Sequence, residues 1–283
     1  MPSLTSRISE NNLLEKIGRE INFEIKNAAA LSGGDINEVY LLEDVSGEKR
    51  VVKINLAAKF PGMFAAEKTG LEALCRARCF DIPKAGQPGE IGDLAYLVLE
   101  YKKPAARASN FNELFGQNLA CLHKNSAAKF GFKQDNYIGS LRQFNKARSS
   151  AADFYISQRL LPQLKLAVRK GFDIMPDHSF FRNLLNIIPN EAPALIHGDL
   201  WNGNYLVNAN GEPCLIDPAT AYAPREMDLA MMKLFGGFDE EIFEVYDSEF
   251  PLQPGFVEPL SPRQLSYLLV HLNLFGSGYL SQV

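Results

Sequence analysis

The stretch that decides the fold is LIHGDLWNGNYLVNANGEPCLIDPA, from Leu195 to Ala219. It gathers a histidine, two aspartates, several asparagines and the only tryptophan of the chain between two apolar runs. Within it, YLVNANGEPCLID reads as two short strands around an Asn210-Gly211 turn, the dipeptide favoured where a tight hairpin needs left-handed backbone. Asn204 stands five positions after Asp199, and Asp217 eighteen after it. A hairpin between them would fold Asp217 back beside Asn204, so that a carboxylate and an amide could share one cation.

Phosphoryl transfer from ATP needs such a set. A carboxylate must accept the proton of the attacking hydroxyl, and hard oxygen ligands must hold Mg²⁺ on the phosphates. The spacing makes Asp199 the candidate base and Asn204 and Asp217 the candidate metal ligands. Either aspartate alone is as well explained as a turn cap; the joint spacing carries the reading. His197 is read as orienting the loop, because a carboxylate already fills the base position.

A site of this kind also requires a lysine on a strand and a glutamate on the next helix. Lys53 lies in RVVKI, and Glu67 follows fourteen positions on in FAAEKTGLEAL. Lys53 would contact the α/β-phosphates with Glu67 holding its ammonium. Gly33 and Gly34 precede them between two strands, where missing side chains would let backbone amides approach phosphate. Leu99, Glu100 and Tyr101 end an apolar strand and could offer backbone groups to an adenine edge. Asp228, at a helix start, is expected to bond backbone amides of the catalytic loop, with Arg225 supporting that corner.

The wider pattern agrees. Residues 11–21 are amphipathic with a helical period, FEIKNAAAL reads as a strand, and VYLLEDVSGEKRVVKINLA as two strands joined by a turn. GMFAAEKTGLEALCRAR is helical and AYLVLEY a buried strand. After KKPAARASN the pattern turns from strands to helices, with Pro162 a kink or boundary in ADFYISQRLLPQLKLAVRKG. The expected fold is α+β and bilobal, protein-kinase-like: a β-rich N-lobe with one main helix over residues 1–102, and a mostly helical C-lobe over 103–283.

With 283 residues, 46% hydrophobic and 22% charged, the composition is globular. No apolar run approaches the ~18–20 residues of a membrane span, and the N-terminus lacks a secretory h-region. A net charge of −4 without a basic stripe argues against a nucleic-acid partner. The expected location is cytoplasmic, as a monomer or homodimer. Cys75 and Cys79 would share a helix face, and all four cysteines are expected to be reduced thiols.

These residues resemble the fructosamine (ketosamine) kinases, kin to the aminoglycoside and choline phosphotransferases. The resemblance spans almost the whole chain: GGDIN (33–37), VVKIN (51–55), AEKTGLEAL (66–74), GFKQDNYIGSLRQFN (131–145), HGDLWNGN (197–204), DPATAY (217–222), REMDLAMMKLFGGF (225–238) and LNLFGSGY (272–279). HGD with a later Asn and Asp marks only the wider superfamily, whereas Trp201 after HGDL and the terminal FG.GY are more specific. The resemblance implies ATP- and Mg²⁺-dependent phosphorylation of a sugar-amine at the sugar 3-hydroxyl. The product decomposes and frees the amine, a deglycation or protein-repair activity. It also implies ribulosamines and erythrulosamines as acceptors ahead of fructosamines.

Trp201 suits such an acceptor, since an indole face contacts both C–H surfaces and a cationic amine. His271 is a second substrate-binding candidate, with Asn136, Asn145 and Asn273 weaker ones. TAYAPREMD departs from the family, which carries a glycine before the arginine. Two alternatives stand: a phosphotransferase for another alcohol, of the aminoglycoside or choline kinase type, and a nucleotide-binding scaffold without catalysis.

Overall fold

The computed structural model describes residues 10–31, 36–253 and 262–283. In chain order these form α1 (Glu10–Glu20), β1 (Ile25–Ala30), β2 (Glu38–Asp44), β3 (Lys49–Leu56), α2 (Met63–Ala77), β4 (Gly89–Ile91), β5 (Leu94–Glu100), α3 (Phe111–His123), β6 (Asn136–Ile138), β7 (Leu141–Gln143) and α4 (Ala151–Phe154). There follow α5 (Leu161–Arg169), α6 (His178–Ile187), β8 (Ala194–Ile196), β9 (Tyr205–Val207), β10 (Pro213–Leu215), β11 (Ala221–Ala223), α7 (Glu226–Phe235), α8 (Glu240–Glu249) and α9 (Pro262–Phe275). The chain divides into two compact units, Met1–Glu72 with Pro83–Lys103, and Ala73–Ile82 with Pro104–Val283.

The first unit is an antiparallel five-stranded sheet in the order β1-β2-β3-β5-β4. Alternation along β3 sets its two faces. Val52 and Ile54 join Leu42, Val98 and the α1 residues Leu13, Leu14 and Ile17 in one core. Lys53 and Asn55, offset by one, point to the other face. The DVSGEK turn between β2 and β3 closes on Asp44, whose carboxylate accepts the Ser46 and Glu48 N–H groups at 2.8 Å each. Asp, Ser and Gly are used here for turn chemistry rather than for function.

The second unit is mostly helical. Its core joins Phe154, Leu160, Leu164, Ile196, Met227, Met231, Leu269 and Leu272. Gly116 on α3 lets α8 come close, since a Cβ there would lie 2.6 Å from the Ile242 carbonyl. Pro162 falls in the first turn of α5, where no N–H is required, and the run before it, Tyr155–Leu160, is π-helical. The hairpin β6–β7 forms in a block the sequence pattern left without elements. No helix among the described residues is long and apolar enough to cross a membrane.

Two expectations are corrected. Residues Ala73–Ile82 belong with the second unit and not with the sheet-bearing one. They are held by the Leu215 N–H on Asp81 O at 3.0 Å and by Asn208 on the Asp81 carboxylate at 3.1 Å. Nor are all four cysteines free thiols, because Cys79 is disulfide-bonded to Cys121. The helix expected to carry Cys75 and Cys79 on one face stops at Ala77, and Arg78 takes a left-handed φ of 57°. That turn carries Cys79 away to α3. Cys75 and Cys214 take no part in this disulfide.

Closing a 42-residue loop in the unfolded chain gives this bond a stabilising effect of up to about 4 kcal/mol. Denatured, unreduced protein should therefore titrate two thiols with Ellman's reagent, and reduction should lower Tm by roughly 5–10 °C. Four thiols before reduction, or an unchanged Tm after it, would contradict the bond.

Candidate active site

The site in the second unit is built by two small ladders. Strands β8 and β11 pair Ile196 with Ala221 and Leu195 with Tyr222, so HGD leaves one strand where DPAT enters the other. The Ala219 N–H donates to His197 O at 2.9 Å and clips the two segments together. Gly198 makes this approach possible. Its φ is +86°, and a Cβ there would lie 2.2 Å from the Ala219 carbonyl oxygen. The β9–β10 hairpin then pairs Tyr205 with Leu215, and the Ile216 N–H donates to Asn204 O at 3.1 Å. Asn204 and Asp217 therefore stand side by side at the open end of that hairpin, as the Asn-Gly turn predicts.

Asp199, Asn204 and Asp217 are thus brought together. The Asn204 amide nitrogen donates to Asp199 O at 2.8 Å and to Asp199 Oδ2 at 3.2 Å. Its Oδ1 accepts no hydrogen bond among the described residues. That leaves an amide oxygen beside two carboxylates, a donor set that fits a hard cation. The Asp199 carboxyl is pushed up to about 7, first by burial and next by the Asp217 carboxylate. The Asn204 hydrogen bond pulls it down, and Asp228 adds to the rise. Asp217 adopts φ +55°, a left-handed conformation rare for a side-chain-bearing residue and one that Asp tolerates better than most.

His197 is fully buried and holds the loop. Its Nε2–H donates to Ile216 O at 2.8 Å, and its Nδ1 accepts the Asp199 N–H at 3.3 Å. Burial holds the ring below its usual pKa, so it stays a neutral scaffold. Asp228 accepts the His197 N–H at 2.7 Å and the Gly198 N–H at 2.8 Å. Tyr267 donates to Gly198 O at 3.2 Å, so Gly198 is pinned through both its N–H and its C=O. Arg225 grips Glu191 with two bonds of 2.7 and 2.9 Å. Pro224 takes the place of the family's glycine, and α7 still starts beside it through the Met227 N–H on Pro224 O at 3.0 Å.

Trp201 sits on the same loop and is 39% exposed. Its indole lies over Gly203, where a Cβ would come within 2.3 Å of the ring. His271 donates from Nδ1 to Tyr267 O at 2.9 Å and stands among Phe235, Tyr279 and Phe275, at ring distances of 4.4, 5.2 and 5.5 Å. No hydrogen bond or ring contact joins His271 to Trp201 or Asp199. The three weaker candidates are engaged internally: Asn136 donates to Thr220 O, Asn145 to Gln134 O and Asn273 to Gln163. The sequence reading missed His123, whose ring reaches Asp228 from α3 at 3.2 Å.

In the first unit, Lys53 Nζ bonds Glu67 Oε1 at 2.7 Å, with both side chains about nine-tenths buried (7% and 11% exposed). Leu99 lies within the β3–β5 ladder opposite Val51. The Glu100 N–H donates to Lys84 O at 2.8 Å, and the Glu100 carboxylate accepts the Lys84 N–H at 3.1 Å. Of this trio, only Tyr101 lies beyond the strand. Gly33 and Gly34 lie outside the described residues.

The five-stranded antiparallel sheet of one unit and the mostly helical second unit define the protein-kinase-like class of fold. The same fold is found in an aminoglycoside-3'-phosphotransferase of type VIII, at a TM-score of 0.55 over 94% of this chain and 98% of that one, with 17% identity.

The chain belongs to the fructosamine kinase family, whose model matches residues 8–283, and it is an ATP-using kinase. A Synechocystis protein named probable ketoamine kinase is 38% identical over 92% of this chain and 88% of its own length. The chloroplastic protein-ribulosamine 3-kinase of Arabidopsis thaliana is 35% identical, over 91% of this chain and 80% of its own length. The crystal structure of a Thermobifida fusca protein assigned as a fructosamine-3-kinase superposes with a TM-score of 0.82 at 32% identity, covering 96% of each chain.

If the Gly198–Ala219 contact sets the catalytic loop, Gly198→Ala should lower turnover in an ADP-release assay by about 10²-fold or more. A wild-type rate in that variant would show that the loop tolerates displacement.

Proposed function

We propose that this kinase phosphorylates a ketosamine, a ribulosamine or erythrulosamine ahead of a fructosamine, at the sugar 3-hydroxyl, and so frees glycated amines. The observation that carries the reading is the Asn204 amide. Its nitrogen is committed to Asp199, while its oxygen accepts no hydrogen bond among the described residues and the β9–β10 hairpin returns the chain to Asp217 beside it. Asp199 orients the acceptor hydroxyl and takes its proton. Asn204 Oδ1 and the Asp217 carboxylate would hold Mg²⁺, which would supply neutralisation of the phosphate charge. Lys53, fixed by Glu67, contacts the α/β-phosphates. Gly33 and Gly34 are assigned to the phosphates from the sequence alone.

The adenine edge is assigned to the strand end at Leu99–Tyr101. Since the Glu100 N–H is already bonded to Lys84 O, the contact falls to the backbone at Tyr101. Trp201 offers its exposed face to the sugar C–H surface and the ammonium. His271, packed at tilted angles among aromatic rings, is assigned to the same acceptor. Most of the acceleration comes from positioning and charge neutralisation.

The test is ADP release with Mg·ATP and ribulosyl-, erythrulosyl- or fructosyl-lysine, compared with kanamycin and choline. Turnover with the sugar-amines is expected; turnover with the antibiotic or choline alone would overturn the assignment. Asp199→Ala should lower kcat by ~10²-fold or more while ATP still binds. Asp217→Ala should abolish Mg²⁺-dependent turnover, and an unchanged rate would remove Asp217 from the metal site.

A further inference from the structure

Asp228 does more than receive two loop amides. Its carboxylate is fully buried and takes a third donor, from His123 at the end of α3. A carboxylate bonded in this way only accepts, so His123 Nε2 carries the hydrogen. In the neutral Nε2–H tautomer His123 Nδ1 is a lone pair, 2.9 Å from the Tyr246 hydroxyl. The Tyr246 proton therefore points at His123, and the Tyr246 oxygen accepts from Arg225 NH1 at 3.3 Å.

Every donor in this chain faces the same way: Arg225 to Tyr246, Tyr246 to His123, His123 to Asp228. The origin is rigid. Arg225 holds Glu191 in a bidentate pair, donates to Phe250 O and Pro251 O at 2.7 and 2.6 Å, and lies 3.8 Å over the Phe250 ring. The end is the backbone of His197 and Gly198, one residue before the proposed base.

We propose that Tyr246 and His123 form a positioning relay that fixes the Asp228 carboxylate and, through the His197 and Gly198 amides, the aim of Asp199. The proposal rests on Asp199 being the proton acceptor. Without His123, Asp228 keeps one loop amide on each oxygen but loses its tie to α3, so the carboxylate and the two amides it holds can shift together. The competing role for His123 is that of a core histidine whose bonds merely satisfy buried atoms. The two roles differ in their kinetics. Packing alone changes Tm and leaves kcat intact below it, whereas a relay changes kcat while ATP affinity stays constant, because the lysine–glutamate pair is untouched.

The experiment compares His123→Phe, His123→Gln, Tyr246→Phe and Asp199→Asn in the full chain, well below each variant's Tm. It measures kcat and KM for ATP and sugar-amine, and Kd for ATP. His123→Phe keeps the ring volume and removes both bonds, and should lower kcat about 10- to 100-fold at unchanged ATP KM and Kd. His123→Gln keeps an N–H for Asp228 and should recover kcat to within about fivefold of wild type. Tyr246→Phe, which removes one oxygen, should lower kcat by roughly three- to tenfold.

Wild-type kcat in His123→Phe, or equal losses in the Phe and Gln variants, overturns the relay. Should His123→Phe fail to fold, wild-type kcat in Tyr246→Phe overturns it. An inactive Asp199→Asn beside unaffected relay variants sinks the relay alone. An active Asp199→Asn sinks the base assignment, and the relay with it.

Discussion

Three carboxylates crowd one corner of the second unit, and the local structure is arranged around keeping them there. Like charges that share a poorly solvated region repel strongly. Each of the three is handled differently. Asp228 is saturated by two backbone amides and a histidine N–H. Asp199 receives an amide hydrogen from Asn204, and its carboxyl is still pushed up to about 7. Asp217 is held by backbone, in a conformation that L-residues seldom adopt. The ladders β8–β11 and β9–β10 are what prevent relaxation, since separating the carboxylates means breaking backbone pairs. Asp228 is therefore structural, and the remaining two carry the capacity to meet a cation and a hydroxyl.

Much of this was legible because it is local. The Asn-Gly turn specifies a hairpin, and a hairpin of that length returns Asp217 to Asn204 whatever surrounds it. Alternation in RVVKIN puts Lys53 on the face opposite Val52 and Ile54, and that face meets Glu67. Asp228 and its bonds to loop amides were also readable from its place at a helix start.

What escaped depends on distant contacts. His123 and Asp228 are 105 positions apart, and a histidine at the end of an amphipathic helix looks like any other polar residue until the fold sets its neighbour. The Cys79–Cys121 bond was hidden by one left-handed residue, Arg78, which ends α2 earlier than its apolar period suggests. The strand end at Leu99–Tyr101 looked available, but Lys84 pairs with Glu100 by a bridge that no periodicity announces. The π-helical run before Pro162 likewise depends on packing, not on propensity.

The acceptor side follows a different logic. A polycationic aminoglycoside would need several unpaired carboxylates, and the sequence of the acidic segment DEEIFEVYDSEF offers them. In the fold they are mostly engaged. Asp239 pairs with Arg107 at 3.2 Å, Glu240 with Lys233 at 3.2 Å and Glu249 with Lys124 at 3.9 Å. Glu241 accepts from Asn112, and Asp247 caps the Leu252 N–H. Within HGDLWNGN itself Asp199 is the one carboxylate, and its exposed neighbour is an indole. One carboxylate beside one aromatic face matches an acceptor with one ammonium and a sugar C–H surface better than it matches a polyammonium ring system. Gly203 is the residue that makes this face available, because any side chain there would lift the indole from the loop.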